Sequence, residues 1–112
     1  MGYRLRIKGK DDERLRFYGT KLYGYIRDER KLRSYEYLVR IGKFDGNETF
    51  TYGYDNEIEL TAEEFKKFAE AYDEDYYDAN DKDKDCPRGW FVGNPDIAKL
   101  MASDADKVVS WG

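Results

Sequence analysis

The sequence predicts an α+β fold: a small antiparallel sheet, made of an N-terminal hairpin plus one or two further strands, packed against one main helix and two short helices. Three observations carry this. Residues 3–8 alternate strictly, with Tyr3, Leu5 and Ile7 set against Arg4, Arg6 and Lys8, the mark of a strand with one buried face. Thr61-Ala62-Glu63-Glu64 reads as a capping box, and Phe65, Phe68, Tyr72 and Tyr76 follow it at spacings of three and four, as in an amphipathic helix. The chain is 112 residues long, the size of a single domain (1–112) able to bury a core without disulfides or metal.

Taken in order, the first strand is followed by a turn at Gly9-Lys10-Asp11-Asp12-Glu13. Leu15 and Phe17 then alternate with Arg14, Arg16 and Tyr18, which completes a hairpin. Residues 19–26 read as extended, their glycines marking a bulge or bend. Residues 28–41 change period: Leu32, Tyr35, Leu38, Val39 and Ile41 share a helical face, and Gly42 suits a C-terminal cap. A strand also fits residues 34–41, because Tyr35, Tyr37 and Val39 alternate; helix is the expectation. Asp45-Gly46-Asn47 is a turn, and Thr49–Tyr54 with Glu57–Leu60 reads as a second hairpin or two short strands. The main helix is expected over 62–77. Asn94-Pro95-Asp96 opens a short helix in the order cap, proline, acid, with Ile97, Leu100 and Met101 as its buried stripe. Lys107–Trp111 is a last short strand. The expected core is Leu5, Ile7, Leu15, Phe17, Leu38, Ile41, Phe65, Phe68, Trp90, Ile97 and Leu100.

Composition narrows the chemistry. There is no histidine, so no imidazole base, proton shuttle or imidazole ligand is available, and the single cysteine, Cys86, rules out a disulfide framework or thiolate zinc site within one chain. Cys86 lies among Asp83, Asp85 and Arg88, and the carboxylates disfavour its thiolate. The three serines (Ser34, Ser103, Ser110) have no nucleophile-elbow context, and no glycine-rich phosphate loop is present. No catalytic residue, cofactor or metal is expected. Asp81, Asp83 and Asp85 match the first, third and fifth positions of a calcium loop, but Cys86 and Val92 stand where glycine and glutamate belong, so an acidic loop is the expectation. Arg6 breaks the myristoylation pattern that Gly2 begins. With no signal-like or membrane-spanning apolar run, a cytoplasmic location and no membrane partner are expected.

The charge distribution is the strongest functional signal. Residues 1–50 carry 13 Lys/Arg against 8 Asp/Glu, a net of +5, whereas residues 51–112 carry 7 against 16, a net of −9. Arg4, Arg6, Lys8, Arg14 and Arg16 fall on one face of the hairpin, where like charges repel, so an anionic partner is expected there: either an external one or the acidic half of the same chain. With Tyr3, Tyr18, Tyr23 and Tyr25 interleaved, this face suits nucleic acid, although the sequence pI of about 4.9 opposes it.

Eleven tyrosines in 112 residues exceed the needs of a small core, and tyrosine gives large contact area at low entropic cost. Tyr72, Tyr76 and Tyr77 alternate with Asp73, Glu74, Asp75 and Asp78, and these acids stand where the helix macrodipole disfavours anions. The leading expectation is therefore a non-catalytic protein-binding inhibitor or adaptor that uses this acidic, tyrosine-rich patch to occupy a basic groove, of the kind that binds nucleic acid, on a larger protein. Phage anti-defence proteins, including anti-CRISPR inhibitors, and toxin-immunity proteins share this size and charge, a likeness carried by no motif. The alternative is a nucleic-acid-binding module built on the basic sheet.

Overall fold

The computed structural model describes residues 2–10, 15–18, 32–43, 57–79, 89 and 91–111. In chain order these form β1 (Gly2–Ile7), β2 (Leu15–Tyr18), α1 (Arg33–Arg40), β3 (Ile58–Leu60), α2 (Ala62–Ala79), α3 (Pro95–Ala102) and β4 (Lys107–Trp111). The fold class is the expected α+β. The four strands make one antiparallel sheet of order β2-β1-β4-β3. The first and last strands thus lie side by side at its centre, in a register running from Tyr3↔Trp111 to Ile7↔Lys107.

Residues 34–41, where helix and strand competed, are helical from Arg33 to Arg40. The termination follows the expected chemistry. Gly42 takes φ 76°, its N–H donates to the Val39 carbonyl at 3.0 Å, and the Lys43 N–H donates to the Leu38 carbonyl at 2.9 Å. This is the Schellman arrangement, which a glycine enters without steric cost. The capping box of α2 also forms: the Thr61 N–H donates to Glu64 Oε1 at 3.0 Å, and the Glu64 N–H donates to Thr61 Oγ1 at 3.2 Å. Asn94 Oδ1 accepts from the Asp96 N–H at 2.9 Å, with Pro95 in the first turn of α3.

One face of the sheet and the inner stripes of all three helices enclose the core. Leu5 and Val109 are paired neighbours, Val109 pairs in turn with Ile58, and all three are buried. Against them pack Phe65, Phe68, Ala69 and Tyr72 of α2, Leu38 and Tyr35 of α1, and Ile97 and Leu100 of α3. Ile7 and Ile41, expected inside, are half-buried at the margin of the same cluster. The side chains of Leu15, Phe17 and Trp90, the segment 19–26, the strand 49–54 and the Asp81–Asp85 loop lie outside the described residues.

Lys107 is the unexpected member of the interior. Register puts it opposite Ile7 and Leu60, and it is fully buried. Its Nζ donates to the Ser103 carbonyl and lies 5.7 Å from the centre of the Phe65 ring, so a cation–π contact and one strong hydrogen bond replace part of its lost hydration. Burial lowers the ammonium below its ordinary value, and the Asp104 and Asp106 carboxylates oppose that shift.

Because the Thr61–Glu64 box satisfies donors that α2 cannot satisfy itself, Thr61→Ala is expected to lower the stability of the protein by about 1 kcal/mol. Urea unfolding is the measurement, with Thr61→Ser restoring most of the loss.

Candidate functional site

The segment expected to form an exposed aromatic and acidic patch is largely internal. α2 continues through it to Ala79, and at about 100° per residue Tyr72 and Tyr76 extend the buried stripe begun by Phe65 and Phe68. Tyr72 is fully buried, stacked 6.3 Å from Phe68 and edge-on to Phe91 at 4.6 Å and to Tyr76 at 5.6 Å. Tyr76 is also buried, and Tyr77 is half-buried. The expectation that Tyr72 and Tyr76 anchor a partner is therefore corrected: they anchor the core.

Asp73 and Asp75 are corrected as well. Both are buried, and neither is a steering charge. Asp73 accepts backbone N–H bonds from Gly89 at 2.7 Å, Phe91 at 2.7 Å and Val92 at 3.2 Å. It thereby clamps the turn that leads into α3. Within that turn the Gly93 N–H donates to the Gly89 carbonyl at 2.8 Å, so close that a Cβ on residue 93 would lie 2.7 Å from that oxygen; a side chain there is excluded.

Asp75 caps a different helix. Its carboxylate accepts from the Arg33 N–H at 2.8 Å, the Ser34 N–H at 3.1 Å and the Ser34 hydroxyl at 2.8 Å. The N-cap position of α1 is Leu32, which has no polar side chain to offer and is buried, so a neighbouring helix supplies the acceptor that the first turn requires. Burial pushes the Asp75 carboxyl up to about 6, against the downward pull of the Ser34 and Arg33 hydrogen bonds and of the Arg33 charge. Beside it Glu74, half-exposed, pairs with the Arg33 guanidinium at 3.5 Å. Asp78 belongs to α2, with its side chain outside the described residues.

The hairpin cations expected to face an anion find part of it in the same chain. Arg6 reaches Glu57 at 3.2 Å and Lys8 reaches Glu59 at 3.0 Å, each crossing from the basic half to the acidic one over the intervening strand β4. Arg4 is half-buried, the side chain of Arg16 in β2 lies outside the described residues, and so does Arg14. Among the described residues no group of three or more His, Cys, Asp or Glu is placed to hold a metal ion, and no helix is long and apolar enough to cross a membrane.

A groove of about 730 Å³ lies between α1 and α2. The two helices run antiparallel, since Arg33 meets Glu74 at one end while Tyr37 feels the charges of Glu63 and Glu64 towards the other. From α1 the groove is lined by Arg33, Glu36, Tyr37, Arg40 and Ile41, and from α2 by Lys67, Glu70, Ala71 and Glu74. Tyr37, Ile41 and Ala71 are half-buried and give it apolar surface. Burial, with the nearby Glu64 and Glu63 carboxylates, raises the Tyr37 phenol above its ordinary value, opposed by Arg40, so the hydroxyl stays protonated at neutral pH and is available to donate.

Sequence periodicity singled out none of these roles, although helical geometry carries part of the signal. Relative to Tyr72, Asp75 lies about 60° to one side and Asp73 about 100° to the other, whereas Glu74 is about 160° away. Asp73 and Asp75 therefore flank the buried stripe.

Two consequences are measurable. Asp73→Ala leaves the N–H groups of Gly89, Phe91 and Val92 without their acceptor, and is expected to cost about 2–4 kcal/mol in denaturant unfolding. For Asp75, the native carboxyl keeps its proton up to about 6, against an ordinary value of 3.8. The native state thus binds more protons than the unfolded chain between those values, and the stability contribution of this group falls as pH rises through that window. Wild type should lose about 2–3 kcal/mol more than Asp75→Asn between pH 4 and pH 7; parallel pH profiles would contradict the assignment.

No family model, no curated protein and no solved structure matches this chain.

Proposed function

We propose that the protein is a non-catalytic inhibitor or adaptor that acts by docking on a larger protein, and that the groove between α1 and α2 is the docking face. The observation that supports this reading is the groove itself. It is concave, its half-buried walls come from Tyr37, Ile41 and Ala71, and charged side chains of both signs line it. Desolvated aromatic and aliphatic surface within a polar rim is the usual anatomy of a protein–protein contact.

The buried carboxylates support the non-catalytic part of the proposal, because Asp73 and Asp75 are each engaged by backbone donors and hold segments of the fold together. The pairing of Arg6 with Glu57 and of Lys8 with Glu59 weighs against the basic sheet as a nucleic-acid face, since two of its cations are already neutralised within the chain. A partner seated in the groove would meet Tyr37 as its main aromatic contact, with the charges around it setting orientation and association rate.

A photo-crosslinking amino acid at Ile41, compared with one at exposed Lys99 on α3, tests the location of the face in lysate of the native host. One protein crosslinked from Ile41 but not from Lys99 is expected, with the yield falling about tenfold when Ala71→Gln fills the groove, a loss of about 1.4 kcal/mol in binding. Equal capture from both positions, or capture indifferent to Ala71→Gln, would overturn the assignment.

A further inference from the structure

The charges around the groove are not equivalent. Arg33 is held by Glu74 at 3.5 Å, and Lys67 lies 3.8 Å from Glu63, one turn before it on α2. No described residue forms an ion pair with Glu36, Glu70 or Arg40. Glu36 and Glu70 stand on opposite banks, one on each helix, with Tyr37 and Ala71 next to them in sequence and lining the same groove. Both carboxylates are exposed and line the groove beside Tyr37, so together they offer a cation two acceptors there. Arg40 lies one helical turn along α1 from Glu36, so the sign of the potential reverses over about 6 Å.

We propose that the groove accepts a basic side chain of the partner, an arginine or lysine, between Glu36 and Glu70 and against Tyr37, with an acidic side chain of the same segment placed about one turn away on Arg40. This rests on the docking role of the groove and adds the chemistry of what docks. The aliphatic stem of the incoming residue covers Ala71 and the edge of Tyr37, while its charged head pairs with the two carboxylates and gains the ring as a cation–π surface. The lining sets Arg33, Arg40 and Lys67 against Glu36, Glu70 and Glu74, a balance that offers a polyanion no net attraction.

The test is a random peptide display library panned on the full chain, with a single-stranded oligonucleotide assayed in parallel. Peptides that bind the wild type and are lost on Ala71→Gln are the groove ligands. They are expected to contain an arginine or lysine, to weaken about tenfold on Glu36→Gln with Glu70→Gln, a change of about 1.4 kcal/mol, and to bind less tightly as salt rises. Both substitutions are on exposed positions, unchanged circular dichroism verifies the fold, and Lys99→Gln on α3 should leave binding intact. Groove ligands without a basic residue, or indifferent to the two glutamine substitutions, would overturn this inference and leave the docking face standing. The absence of any groove-dependent peptide, or groove-dependent capture of the oligonucleotide in its place, would overturn both.

Discussion

Two carboxylates buried on one helix hold the rest of the fold in register. A charge taken out of water costs several kcal/mol unless donors replace its hydration, so Asp73 and Asp75 tolerate burial only where backbone N–H groups converge on them. Asp73 requires the N–H groups of Gly89, Phe91 and Val92, and Asp75 requires the first turn of α1. Hydrophobic burial alone is non-directional; these bonds are directional, and they specify where on α2 the neighbouring segments sit. They also release a local constraint. With its cap supplied from α2, α1 can begin at an apolar residue, and Leu32 joins the core where a serine or aspartate would have had to remain near water.

The groove is a by-product of the same arrangement. α1 is tied to α2 at its N-terminal end by Asp75 and by the Arg33–Glu74 pair, while Ser34, Tyr35 and Leu38 are buried on its inner face. The outward flanks of the two cylinders then diverge, and the residues one step round each helix from the buried stripe line the resulting cleft. Binding there would not require the core to rearrange, because its walls stand on elements already locked by buried hydrogen bonds.

Local chemistry made the fold class and most element positions legible. Strict alternation marked β1, the Thr61–Glu64 box opened α2, Asn94-Pro95 opened α3, and Gly42 closed α1. The ambiguity at 34–41 arose because period two and period 3.6 share positions 35 and 39; burial of Ser34, Tyr35 and Leu38 together is what a helix does. The site was misread for a physical reason. Tyrosines and acids interleaved near a helix end look like a solvated patch when composition is weighed, yet Asp73 and Asp75 meet donors from residues 16 to 19 positions downstream and 41 to 42 upstream. No local rule reports such distant partners. Lys107 was hidden likewise, because its burial follows from the strand register and not from its residue type.

The central place of β1 and β4 in the sheet bears on how the molecule is made. Their pairing joins residues such as Ile7 and Lys107, 100 positions apart, and closing a loop of that length costs about 4 kcal/mol of chain entropy before any contact repays it. β3 pairs with β4 and with no other described strand. During synthesis on a ribosome, the β1–β2 hairpin and the capped helix can form early, but one edge of β1 stays open and β3 waits without a sheet until Lys107–Trp111 emerges. Assembly of the described sheet is therefore gated by β4, a topology that favours slow, all-or-none completion over stepwise growth.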